Sequence, residues 1–174
     1  MTKKYQLACI QAAIEVIDDP IDRDSVIGRN IERGLNIAET AIHRDEAKVI
    51  VFPEAWLQGF NHTRREVDWK DICIQIPGPE TSRIGNFAKE QKVYIATAAF
   101  EQDPEWPEIW FTTGFIIGPS GEVELRYRKI HEHNVEGLIP NASPADVYSD
   151  YIERYGESSL FPVLDTPYGR LALI

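Results

Sequence analysis

The run Lys48-Val49-Ile50-Val51-Phe52-Pro53-Glu54 constrains the fold most. An unbroken apolar, β-branched stretch bounded by charge reads as a strand buried within a sheet. Pro53 has no N–H to donate and is expected to end the hydrogen-bonding ladder. In open α/β sheets the ligand crevice lies outside the carboxyl ends of the strands, so Glu54 falls where chemistry is usually done. An earlier strand is expected over residues 5–12, and an amphipathic helix from Asp24 to Arg44. Ile27, Ile31, Leu35, Ala38 and Ile42 recur there every three or four residues and make one face. Gly28 and Gly34 weaken that helix slightly.

Beyond Glu54, residues 55–76 mix aromatic and polar side chains and read as a loop with a short helix. Pro77-Gly78-Pro79 breaks the chain, and Glu80 to Gln91 reads as a second helix with Ile84, Phe87 and Ala88 inward. Strands are expected over 93–100, 109–117 and 122–128, the last two joined by Gly118-Pro119-Ser120-Gly121 as a β-hairpin. Residues 101–108 read as a polar loop. The charged, aromatic stretch 131–160 reads as a functional loop, partly helical from Pro144 to Arg154, with Asn141-Ala142-Ser143-Pro144 as a breaker. Short strands over 161–165 and 170–174 flank Thr166-Pro167-Tyr168-Gly169. This alternation predicts an α/β layered domain with a mixed sheet.

Composition narrows the function. The 174 residues suffice for one domain with a real core, spanning 1–174. A net charge of −10 argues against nucleic acid, which needs a basic face. No apolar run approaches the roughly 18 residues of a membrane helix. No signal-peptide core follows Met1-Thr2-Lys3-Lys4-Tyr5. Two cysteines, Cys9 and Cys73, argue against a disulfide framework and for a reducing, cytoplasmic compartment. Cys9, within the first strand, reads as a small buried hydrophobe rather than a nucleophile. The apolar run Leu171-Ala172-Leu173-Ile174, with no turn signal after it, reads as a strand cut short.

Two ionisable residues stand at strand ends, Glu54 and Lys129. In one cleft they could act as general base and oxyanion-stabilising cation, or simply form a structural ion pair. Phe52-Pro53-Glu54, the turn Gly118 to Glu122 leading into Tyr127-Arg128-Lys129-Ile130-His131, and Thr166-Pro167-Tyr168-Gly169-Arg170-Leu171 occur in that order. Together they closely resemble the nitrilase, or carbon–nitrogen hydrolase, superfamily over essentially the whole chain.

The resemblance implies a nitrilase-like α-β-β-α sandwich with mixed sheets, of which this chain covers the first part, and a Glu-Lys-Cys triad. By it, Glu54 is the general base, Lys129 steadies the tetrahedral oxyanion, and the nucleophilic cysteine falls about two residues past Ile174. Neither Cys9 nor Cys73 matches that position. A second active-site glutamate is expected after the lysine; Glu136 is the candidate, with Glu132 and Glu157 competing. His131 matches a histidine common after the lysine and is a candidate substrate contact, although a hydrogen-bonded structural histidine is the more ordinary reading. Trp56 and Phe60 read as pocket walls or as core. The family often has Asn where Thr112 stands.

The implied substrate is a small amide or N-carbamoyl compound, possibly a nitrile, attacked by thiolate through a thioester-type intermediate. No metal or organic cofactor is implied, and a homo-oligomer is expected. Competing readings are a glutaminase-like domain feeding ammonia to a larger synthetase, and a non-catalytic α/β binding module.

Overall fold

The computed structural model describes residues 4–61, 69–131 and 141–174. Strand β1 (Gln6–Cys9) leads through a loop to helix α1 (Arg23–Asp45) and strand β2 (Ala47–Glu54). Helix α2 (Pro79–Gln91) precedes strands β3 (Tyr94–Glu101), β4 (Phe111–Ile117) and β5 (Val123–Arg128). Helix α3 (Tyr148–Tyr155) and the strands β6 (Leu164–Thr166) and β7 (Gly169–Leu171) complete the chain. Five strands form one sheet in the order β1-β2-β3-β4-β5, parallel across β1, β2 and β3 and antiparallel across β3, β4 and β5. β6 and β7 form a separate antiparallel pair.

Both faces of the sheet carry apolar side chains. On one face α1 and α2 pack against Ile50, Phe52, Ile95, Ala99, Phe115 and Ile117. The predicted stripe of Ile27, Ile31, Leu35, Ala38 and Ile42 is buried in full. The opposite face carries Val49, Tyr94, Ala96, Ile116, Leu125 and Tyr127, with Leu164, Tyr168, Leu171 and Leu173 laid against it. The expected mixed α/β sheet is therefore present, with its helical layer on one side. Element ends differ by a few residues. The final strands are shorter than expected, because only Leu164 to Leu171 pair across the Thr166–Gly169 turn.

Gly34 is a close-approach residue rather than a mere weakness in α1. A Cβ there would meet Trp56 at 2.3 Å and Phe52 at 2.9 Å. Gly34→Ala should gain about 0.5–1 kcal/mol of helix propensity but lose about 1–3 kcal/mol to overpacking. A lower thermal midpoint is expected, and an unchanged or higher one would contradict this packing.

Candidate active site

Glu54 reaches its place through a β-bulge. Val51 pairs with Ala96 and Glu54 with Ala98, so β2 carries one more residue than β3 over this interval. A shift of one residue moves a side chain to the other face of a sheet. Without the bulge, Glu54 would face α1; with it, Glu54 shares the face of Val51, Ala96 and Ala98. Pro53 therefore does not end the ladder as expected. It occupies the bulge, where a missing N–H costs nothing, its carbonyl accepts from Thr97 Oγ1 (3.3 Å), and pairing resumes with Ala55 N–H on the Ala98 carbonyl (2.9 Å). Ala55 then turns the chain out of the sheet with φ 58°.

Lys129 follows β5 directly. Strand alternation puts Arg126 and Arg128 on the helical face, and Tyr127 and Lys129 on the other. The backbone N–H of Lys129 donates to the Thr112 carbonyl (2.9 Å), and its Nζ lies 3.1 Å from Glu54 Oε2. The two residues, 75 positions apart in sequence, thus meet across β3 and β4. Their side chains are 45% and 32% exposed, so the pair adds only about 0–1 kcal/mol of stability. Stability gives little reason for such an arrangement. An open cleft of about 170 Å³ lies over them, walled by Ala96, Thr112, Gly114, Tyr127, Leu173 and Ile174 among others. Gly114 lets Leu173 in: a Cβ there would stand 3.1 Å from the leucine.

The remaining sequence candidates fall elsewhere. Trp56 is buried, stacked on Phe52 at 4.1 Å between β2 and α1, and is core rather than pocket wall. Phe60 packs on Trp69 and Phe100 at 5.7 and 6.2 Å, away from the cleft. His131 is exposed and does not wall the cleft. Glu157 is exposed in a 3-10 turn after α3. Glu136 and Glu132 lie outside the described residues. Among the described residues no cluster of His, Cys, Asp and Glu could hold a metal ion, and no helix is long and apolar enough to cross a membrane.

The cysteines reverse one expectation. Cys9 is exposed on edge strand β1 rather than buried. Cys73 is buried, and burial pushes its thiol far above the ordinary range, which makes it a poor nucleophile. An alkylating reagent should modify Cys9 rapidly in the native protein and Cys73 only on unfolding; peptide mass mapping gives the answer. Rapid native labelling of Cys73 would contradict its burial.

Sequence reasoning missed a buried network behind Lys129. The Arg128 guanidinium, 1% exposed, donates from Nε to Glu101 Oε2 (3.0 Å) and from Nη2 to Glu101 Oε1 (3.3 Å) and Asp103 Oδ2. It also lies over the Phe111 ring at 4.4 Å and the Tyr155 ring at 4.9 Å. Glu101 is fully buried and additionally accepts from Thr113 Oγ1 (2.5 Å) and Arg126 Nη1 (3.1 Å). Asp103 accepts from the Tyr155 hydroxyl (3.0 Å) and the Glu105 N–H (2.9 Å). Burial alone would raise the Asp103 carboxyl, but the Glu105 N–H, Arg128 and Tyr155 together hold it below the ordinary carboxylate range. A partial signal was present in the sequence: bases at Arg126 and Arg128, two residues apart and so on one strand face, and acids at the same spacing at Glu101 and Asp103, the latter just past the end of β3. A second missed residue is Asn141, whose Nδ2 donates to Thr112 Oγ1 (3.1 Å) beneath the carbonyl that holds Lys129. The position where the family often has Asn is thus supported by one from another segment.

The family model for carbon–nitrogen hydrolases matches residues 6–174, and the chain belongs to that family. It is 35% identical over 127 residues to the formamidase of Bacillus cereus (strain B4264), across 73% of this chain and 36% of that enzyme. The chain thus spans about a third of the curated relatives' length. Among solved structures, it resembles the C. elegans NitFhit protein with TM-score 0.61 and 18% identity, over 96% of this chain and 36% of that one. It resembles Saccharomyces cerevisiae Nit3, a member of branch 10 of the nitrilase superfamily, with TM-score 0.60 and 21% identity, over 84% and 48% of the two chains. At these identities the likeness is one of fold.

Proposed function

We propose that this chain is the first part of a hydrolase that cleaves the carbon–nitrogen bond of a short amide through a cysteine nucleophile. One observation carries the reading: Glu54 and Lys129 meet at 3.1 Å in a cleft also lined by Leu173 and Ile174. A cysteine about two residues further along would enter the same cleft, as the family's triad requires. Glu54 takes the thiol proton as the thiolate attacks the amide carbon, and Lys129 steadies the negative oxygen that develops. The proton passes to the departing amine, leaving a thioester. Glu54 then activates water, which releases the acid and the thiol. The formamidase relatives favour a small amide over an N-carbamoyl compound or a nitrile.

The test uses the protein as its gene encodes it. Its intact mass should exceed 19.8 kDa. It should release ammonia from formamide and other short amides, and a reactive thiol should map outside residues 1–174. Lys129→Ala should lower kcat about 100-fold or more, the usual effect of removing a donor to the oxyanion. A mass of 19.8 kDa, or no turnover of any amide, would overturn the reading.

A further inference from the structure

We infer that Arg128 is a positioning residue, clamped by Glu101 and Asp103 so that the adjacent Lys129 is aimed at Glu54. This rests on Lys129 being the cation of the site. The connection can be followed through bonded groups. Glu54 is registered against Ala98 of β3 by the bulge and by the Ala55 N–H. Three residues along the same strand, Glu101 takes two hydrogen bonds from Arg128. Arg128 precedes Lys129 and points to the opposite face. β3 therefore fixes both partners of the pair: Glu54 directly, and Lys129 through the guanidinium.

β3 and β5 are not neighbours, since β4 lies between them. Backbone ladders alone would relate Glu54 to Lys129 only by way of β4. The side-chain clamp crosses β4 and takes Thr113 with it, through the Thr113 Oγ1 bond to Glu101. Each of the three strands β3, β4 and β5 gives the cluster a side chain. The bidentate fork of Arg128 fixes direction as well as distance, which a point charge would not. Phe111 and Tyr155 close over the guanidinium and leave it little room to tilt. Among the described residues, one of its nitrogens, Nη1, is buried without a hydrogen-bond partner. Burying a cation with a donor unsatisfied is a poor route to stability, and favours a role in placement.

The decisive variant is Glu101→Gln with Arg128→Met in the complete enzyme. Removing one charge of each sign leaves Asp103 paired with Arg126, so the fold should survive. Two readouts are taken, kinetics on the amide substrate and a crystal structure of the variant. We expect Lys129 Nζ to move from Glu54 by about 1 Å or more, and kcat to fall roughly 10- to 100-fold with KM within about twofold. A purely structural cluster would lower the thermal midpoint without that split between kcat and KM. If Lys129 keeps its contact with Glu54 and kcat stays within about twofold, the inference is wrong. Should the double variant not fold, Thr113→Val decides by the same two readouts. It removes one hydrogen bond to Glu101 at nearly constant volume, and a wild-type kcat and geometry there overturn the inference. If the wild-type enzyme turns over no amide, the proposed function fails, and the crystal structures alone still judge the clamp.

Discussion

Glu54→Gln should abolish turnover while leaving the fold intact. The expected loss in kcat is about 10³-fold or more, the upper range for removing a general base, because groups acting as a unit fail together. The amide of the variant keeps an oxygen for Lys129, and the side chain it replaces is 45% exposed, so the thermal midpoint should hardly move. KM should stay close to its wild-type value if Glu54 moves protons rather than binds substrate. Steady-state ammonia release, with calorimetry on the same preparations, measures both. A kcat within about tenfold of wild type would remove Glu54 from the mechanism. An equal loss of activity and stability would make it a structural residue.

Arg128→Met should be the most damaging change to the fold. It leaves Glu101, which has no exposure, and Asp103 sharing Arg126, whose side chain is 31% exposed. Stranding a buried charge in this way costs about 3–5 kcal/mol, a drop in thermal midpoint on the order of 10 °C for a domain of this size. The deficit should shrink in acid. In the wild-type protein the Asp103 carboxyl is held below its usual range, so its stabilising effect is complete above the unfolded value of 3.8. That effect is lost as pH falls through the lower folded value. In the variant, the Arg128 hydrogen bond and charge are gone and burial favours the protonated acid, so lowering the pH relieves the penalty. Urea unfolding at neutral pH and near pH 4 should show the two proteins converging. A gap that is constant, or widens in acid, would show that the buried carboxylates are not the cause.

The two results separate the roles of neighbouring residues. Lys129 is partly exposed and its pairing adds little stability, whereas Arg128 is buried and its partners hold three strands together. A partly exposed cation thus follows directly on a buried one, and the two point to opposite faces of the sheet. The double variant with Glu101→Gln is informative because it removes the clamp without the stranded charge that makes Arg128→Met destructive.

The sequence by itself determined the elements and marked Glu54 and Lys129 as candidate site residues. The apolar run before Glu54, the stripe on α1 and the hairpin turn at Gly118–Gly121 are local patterns, set by periodicity and turn chemistry, and they are legible without a fold. Glu54 and Lys129 were legible because they end strands and sit in motifs. The tertiary structure decided which face each side chain took. The bulge at Phe52-Pro53 turned Glu54 toward Lys129, an event of register that no local propensity encodes. Trp56, which reads equally as pocket or core, was settled by the gap that Gly34 leaves for it. Arg128, Glu101 and Asp103 looked like strand-end and loop charges. Only the pairing of β3, β4 and β5 brings them together in a buried site, where the low polarity of the surroundings makes each depend on the others.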